Sequence, residues 1–483
     1  MNRVFISFFW KFLERIGSQG VQFLVSLVIA RMVLPEEYGI VGLTTIFISI
    51  ANVFIQSGFN SALIQKQKVD DLDYCSVFVF SFFTSILLFV ILFIAAPSIA
   101  IFYNMGILKL VIRWLSITLV FGSINSIQIA KLTKEFRFKS MFQCSIISTV
   151  ISGIVGIVLA FKGFGIWALV FQQVSNQILV TGIMFLITDW RPKFKYSSER
   201  VNVLFKFGSK ILLSNLLNTV YVNLYGLFIG KVYSSAELGY YNRADQFPKV
   251  LITNIDGSIQ SVLLPVMAEK QGNIDYLREM VRKSITLSSF ILCPMMVGLS
   301  VCAENIILLV LGPKWISCVP YMQILCFAYM LMPVHTANLQ AINAMGRSDI
   351  FLKLEIMKKI VGLLCLFISM PFGIMWMLYF KLLDEIIAII INTFPNRKLL
   401  HYSLLSQIVD ILPSIFLSII MGLSVKLIGR LLSTPPALTL LLQIVFGIVV
   451  YISLAIIFKV KSIYNIKILL DSMISIKRKK DEL

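Results

Sequence analysis

The chain has 483 residues, of which 58% are hydrophobic and 14% charged, with a formal net charge of +19. A water-soluble protein carries about 25% charged residues, so this composition excludes a soluble enzyme and a soluble nucleic-acid binder. It describes a chain that lives in lipid from end to end.

A helix rises ~1.5 Å per residue and needs ~20 mostly apolar residues to cross a ~30 Å hydrocarbon core. Lipid offers no partner to a free backbone group, so continuous runs of this length read as helices rather than barrel strands. In chain order the predicted spans are 12–33, 39–60, 76–103, 107–130, 140–161, 164–187, 205–229, 244–267, 284–311, 318–344, 352–371, 374–395, 405–428 and 437–458. The expected fold is all-α and polytopic, with about fourteen membrane helices. With the N-terminus in the cytosol, most of the 43 Lys and Arg residues fall on cytosolic connections, as the positive-inside bias requires. The net charge therefore reads as topology. Both termini are expected in the cytosol, and the first helix, lacking a cleavage pattern, is expected to be retained. Lys480-Asp481-Glu482-Leu483 matches a lumenal retention signal, which a cytosolic end would keep from its reader. The seven cysteines show no CxxC and no metal spacing, and read as small core hydrophobes. No catalytic constellation, metal site or Walker loop is present in the sequence.

An internal repeat is visible. Ala30-Arg31-Met32-Val33-Leu34-Pro35-Glu36-Glu37-Tyr38-Gly39 parallels Gly230-Lys231-Val232-Tyr233-Ser234-Ser235-Ala236-Glu237-Leu238-Gly239. Matching starts lie upstream, at Arg15-Ile16-Gly17-Ser18-Gln19 and Lys206-Phe207-Gly208-Ser209-Lys210. The period covers six helices, an even number, so both copies share one orientation. The expected organisation is a first lobe over 1–195, a second over 196–400, and two extra helices with a basic cytosolic tail over 401–483. Duplicated lobes describe a transporter with its binding site at their interface.

The stretch Ile229-Gly230-Lys231 through Glu237-Leu238-Gly239-Tyr240-Tyr241-Asn242-Arg243-Ala244-Asp245-Gln246-Phe247-Pro248, continuing to Leu264-Pro265-Val266, resembles the polysaccharide-transport family of oligosaccharide flippases. The Ala30–Gly39 segment is a second match. The superfamily also holds lipid II flippases and multidrug/toxin extruders, and the chain is most similar to the colanic-acid-exporter-like branch. The resemblance implies a two-lobe fold working by alternating access. It implies a cargo of undecaprenyl-diphosphate-linked oligosaccharide, moved across a bacterial inner membrane for exopolysaccharide, capsule or O-antigen synthesis. It implies polysaccharide polymerases and glycosyltransferases as neighbours in the pathway, and in some relatives a groove on the last two helices for the polyprenyl tail.

A diphosphate calls for Arg or Lys in a low-dielectric cavity, and a charge within the bilayer is by default a functional hypothesis. Arg15, beside Glu14, opens span one, and Lys206 and Lys210 open span seven. Arg15 and Lys210 are expected to meet the diphosphate from the cytosolic side, with Arg31, Lys231 and Arg243 along its exit and Lys206 a further substrate-binding candidate. Snorkelling to headgroups is the alternative. Gln19, Asn215 and Asn218 sit on the repeat-equivalent spans one and seven, where a sugar would need amides. Asn52, Gln56 and Asn60 on span two and Asn338, Gln340 and Asn343 on span ten are further amides, and interhelical hydrogen bonding is their alternative. Span eight, with Arg243, Asp245, Asn254 and Asp256, is too polar to face lipid. Span twelve places Lys381 beside Asp384 and Glu385 at helical spacing. These residues are either a self-neutralised pair or, with Glu14 and Asp245, a switch coupled to a proton or sodium gradient; His335 on span ten is a further titratable candidate. Rival readings are a membrane polymerase or glycosyltransferase, for which Asp70-Asp71-Leu72-Asp73 is the acidic candidate, and a cation-coupled small-molecule extruder.

Overall fold

The computed structural model describes residues 2–432, 435–460, 462 and 463, apart from the side chains of 2–9, 11, 12, 14–16, 57, 258, 261 and 262. The side chains of Glu14 and Arg15, and the tail with Lys480–Leu483, thus lie outside the described residues. The helices are α1 (Asn2–Ala30), α2 (Pro35–Gln65), α3 (Asp71–Tyr103), α4 (Leu108–Lys134), α5 (Phe138–Phe161), α6 (Ile166–Ile187), α7 (Ser198–Val232) and α8 (Ser235–Glu269). They continue with α9 (Ile274–Val301), α10 (Ala303–Val310), α11 (Cys318–Met330), α12 (Met332–Ala344), α13 (Ser348–Ser369), α14 (Ile374–Leu399), α15 (Leu404–Leu431) and α16 (Pro436–Ile457).

Every predicted span coincides with helix, and the chain is an all-helical, multi-pass membrane protein. Ten helices among the described residues are long and apolar enough to cross a membrane, so the count of fourteen is not established by length and composition. α13 and α14 fall short through their charges: Lys353, Glu355, Lys358 and Lys359 on the first, Lys381, Asp384 and Glu385 on the second. Two expected spans are broken, 284–311 at Cys302 and 318–344 at Leu331. The second break precedes Pro333, which has no N–H to continue a helical ladder but is at home in a first turn.

The chain forms two compact units, residues 1–242 and 243–483, with the division inside α8. In unit 1, α2 runs against α7 and α4, α3 against α4, α1 against α5, and α6 against α5 and α4. In unit 2, α9 is held by α15, α11 and α12, while α14 packs on α13, α11 and α12.

The two repeat segments are helix junctions. Pro35 opens α2, where its missing N–H costs nothing. Glu37 then ties two helices together: its carboxylate accepts the Leu34 N–H at 2.9 Å and the Ile166 N–H, at the start of α6, also at 2.9 Å. Gly165 makes that approach possible, since a Cβ there would lie 2.3 Å from Glu37 Oε1 and its φ of +54° suits glycine. Glu37→Ala removes both acceptors and is expected to cost about 2 kcal/mol, read as a lower melting temperature of the purified protein. An unchanged melting temperature would remove this role.

The acidic run of the enzyme reading is a structural clasp. Asp70 and Asp73 exchange backbone N–H bonds at 2.9 and 3.2 Å and cap α3. Asp73, fully buried, meets Lys66 at 2.6 Å and Arg200 at 3.3 Å. Asp71 accepts from Trp190 Nε1 at 2.8 Å and pairs with Lys193 at 3.3 Å. All seven cysteines are buried thiols.

Candidate functional site

Polar residues on α14 fall at positions 381, 385, 392 and 396, a spacing that stacks them along one helical face. Each meets a polar group from another helix of unit 2. Lys381 Nζ lies 3.8 Å from Asp245 Oδ1 on α8 and 5.5 Å from the centre of the Tyr329 ring. Asp245 also accepts from Tyr329 Oη at 2.6 Å and Lys249 Nζ at 3.1 Å. Two cations and a phenol thus surround a carboxylate that would otherwise be prohibitively costly to bury. Glu385 Oε2 stands 3.2 Å from His335 Nε2 on α12, out of line for a hydrogen bond. The other ring nitrogen of His335 is 3.0 Å from Asn392 Nδ2. Below, Asn396 donates to Asn338 Oδ1 at 2.7 Å, and Asn338 exchanges bonds of 2.8 and 3.0 Å with Gln407 of α15. Those three amides are at most 1% exposed.

This column gathers several of the predicted residues. Asp245, Lys381 and Glu385 belong to it, and Asp384 stands beside Glu385 with a buried Oδ1 that has no hydrogen-bond partner. The fold adds cross-helix contacts to the expected pairing: Lys381 also reaches Asp245, and Glu385 reaches His335. Arg243, 6% exposed, donates to Gln246 Oε1 at 2.5 Å on its own helix. Asp256 accepts from Thr336 of α12 and, at 2.7 Å, from Gln260. Tyr329, Asn392, Asn396 and Gln407 are not among the residues that the sequence singles out; the i, i+4, i+11, i+15 stripe on α14 is the signal that finds two of them.

The candidates on spans one and seven lie in unit 1. Gln19, Arg31, Lys206, Lys210, Asn215 and Asn218 are exposed on α1, α7 and the turn after α1. Lys231 is docked on the end of α3, its ammonium bonded to the Phe102 carbonyl and 4.1 Å from the centre of the Phe102 ring. That contact fixes the end of α7 to α3 and engages the charge expected at the exit.

Unit 1 also brings the repeat copies face to face. A Cβ on Gly39 would lie 1.7 Å from the Ser235 carbonyl oxygen, and one on Gly239 would lie 2.0 Å from that of Pro35. The starts of α2 and α8 therefore touch backbone to backbone, each glycine against the first residue of the other helix. Towards the other end of α2, Gly58 also meets Gly208 of α7 through backbone, with a Cβ on Gly58 2.7 Å from the Gly208 carbonyl oxygen.

In unit 2 a cavity of 670 Å³ lies between α9, α15 and the segment following α16. Phe416, Leu417 and Phe458 give it an apolar side, and Arg282, Lys283 and Lys459 a basic one. Arg282 pairs with Asp410 at 2.6 Å and Lys283 with Glu279 at 2.6 Å. Burial, reinforced by the Asp410 carboxylate, pushes the adjoining Tyr402 phenol well above its ordinary range.

Among solved structures, the chain is similar to the lipid II flippase MurJ in an inward closed conformation, with a TM-score of 0.74 at 16% identity, covering 92% of this chain and 98% of that one. The likeness establishes a shared fold. Among curated proteins, it is 27% identical over 303 residues to the teichuronic acid biosynthesis protein TuaB of Bacillus subtilis (strain 168), covering 62% of each. It is 21% identical over 341 residues to the succinoglycan biosynthesis transport protein ExoT of Rhizobium meliloti (strain 1021), covering 71% of this chain and 69% of that protein. The match thus spans less than two thirds of TuaB. A family model described as polysaccharide biosynthesis protein matches residues 28–320, and the chain belongs to that family.

Proposed function

We propose that the protein is a flippase that moves polyprenyl-diphosphate-linked oligosaccharide units from the cytosolic to the outer leaflet of a bacterial inner membrane, with both termini in the cytosol, for cell-surface polysaccharide assembly. The observation that carries this reading is a family of polysaccharide biosynthesis proteins on a lipid-flippase fold, with a charged polar column along α14. The roles that TuaB, ExoT and MurJ are named for support the same class of cargo. Deleting the gene is expected to leave lipid-linked oligosaccharide accumulating in the cell while surface polysaccharide falls. Normal surface polysaccharide without accumulation would overturn the reading.

Transport is favoured over polymerisation because the acids at Asp70, Asp71 and Asp73 are tied into salt bridges and helix capping. Polymerases and glycosyltransferases are then upstream and downstream partners. The cavity on α15, with an apolar side and a basic rim, suits the part of the cargo where polyprenyl tail meets diphosphate.

The same proposal includes gradient coupling. Glu385 and His335 form a contact that a proton reorganises: a carboxylate–imidazole pair that takes up one proton becomes a carboxylate–imidazolium ion pair. Glu385→Gln is expected to lower transport about tenfold or more and to remove its response to an imposed proton gradient. A variant that keeps the proton response would exclude this pair as the coupling site, and a response to sodium alone would assign the other gradient.

A further inference from the structure

Unit 1 holds a second polar region of different chemistry. Asn52, Gln56 and Asn60 repeat every four residues on α2 and so share a face. That face meets α4 at Gly122. The site of a Cβ on Gly122 is 3.5 Å from Asn52 Oδ1, 3.9 Å from Gln56 Nε2 and 3.6 Å from Gln177 Nε2 of α6. Amides from two helices thus converge on a position that carries no side chain. One turn on, Ser126 donates to Asn60 Oδ1 at 3.4 Å. Asn125 and Gln128, on the same helix, are 2% and 0% exposed, and both polar atoms of each amide lack a hydrogen-bond partner. A buried polar atom left in that condition is costly, and these four mark a stretch of α4 where the packed helices leave amide donors and acceptors without hydrogen-bond partners.

The chemistry of the wall narrows the choice of ligand. None of these amides carries a charge. A diphosphate is held by Arg and Lys, and a hard cation by carboxylates. An amide offers both donors and an acceptor, which matches a sugar hydroxyl that both donates and accepts. We propose that this amide wall on α2, α4 and α6 binds the neutral glycan portion of the cargo. The inference rests on the flippase reading and goes beyond it by separating two tasks: unit 1 reads the sugar, and the titratable column of unit 2 drives the cycle.

The test uses the full-length protein in lipid nanodiscs and two probes: undecaprenyl-diphosphate-linked oligosaccharide extracted from the host, and undecaprenyl diphosphate without sugar. Two variants are compared with the wild type. N52A/Q56A removes two partly exposed amides. Gly122→Ala fills the space between them at ordinary van der Waals distances, so it leaves the helices in place and keeps the test open if the double variant is unstable. Each variant is expected to bind the glycosylated lipid about tenfold more weakly and the sugar-free lipid as the wild type does. Unchanged binding of the glycosylated lipid overturns the inference and marks the amides as interhelical glue. Equal weakening for both probes also overturns it. A wild-type protein that binds neither probe contradicts the flippase reading itself.

Discussion

Gly39→Val is expected to stop transport while the protein still inserts and accumulates in the membrane. The added Cβ would stand 1.7 Å from a backbone carbonyl oxygen, and backbone cannot swing aside as a flexible side chain can. The starts of α2 and α8 must then separate. Overpacking of this kind costs about 1–3 kcal/mol, which displaces a two-state equilibrium by about 5–150-fold. A transporter that must part and rejoin these helix ends in each cycle would be held with them parted. Leu34, exposed at the junction, provides the reporter: as Leu34→Cys it should react faster with a membrane-impermeant thiol reagent in the Gly39→Val background. The seven native cysteines are all buried, which keeps the background low. Wild-type transport and wild-type labelling would show that this contact does not move.

The second large effect is at Asp245 and Lys381. Breaking a buried ion pair from one side typically costs about 3–5 kcal/mol, because the remaining charge loses its compensation. Asp245→Asn is expected to lower the melting temperature markedly, and Lys381→Met to lower it less, because Lys249 and Tyr329 stay on the Asp245 carboxylate; both should lose transport. The double variant D245N/K381M removes both charges and should recover much of the stability. The decisive readout is its transport. If the pair serves the transport cycle, the stable double variant stays inactive; if the pair is only structural, stability and transport return together.

Much of this fold is legible in the sequence, because the bilayer leaves few choices. Hydrophobic runs must be helices, and Pro35-Glu36-Glu37 reads as a helix start from its residue types alone. The repeat between 30–39 and 230–239 is equally plain, yet nothing in it foretells that the two copies meet through Gly39 and Gly239, since that contact is tertiary. On α14, local spacing shows part of the arrangement. It places Lys381 beside Asp384 and Glu385, and the fold adds Asp245 from α8 and His335 from α12. The amides of α4 and α6 escape notice for a related reason: they lie in mixed polar and apolar runs, Asn125-Ser126-Ile127-Gln128 and Ser175-Asn176-Gln177, and only helix packing reveals that Gln177 meets the amides of α2 at Gly122. Arg31, Lys206 and Lys210 stand out by charge alone, which marks helix ends near headgroups as readily as it marks a binding site.

The most direct test of a flippase is movement of its lipid between leaflets. The purified protein would be reconstituted into sealed liposomes carrying lipid-linked oligosaccharide, and a membrane-impermeant glycosidase added outside. Wild-type vesicles should expose glycan from the inner leaflet progressively, whereas protein-free vesicles and vesicles containing Glu385→Gln should leave about half protected. Equal protection in wild-type and protein-free vesicles, with the protein folded and a transmembrane proton or sodium gradient imposed, would contradict the account.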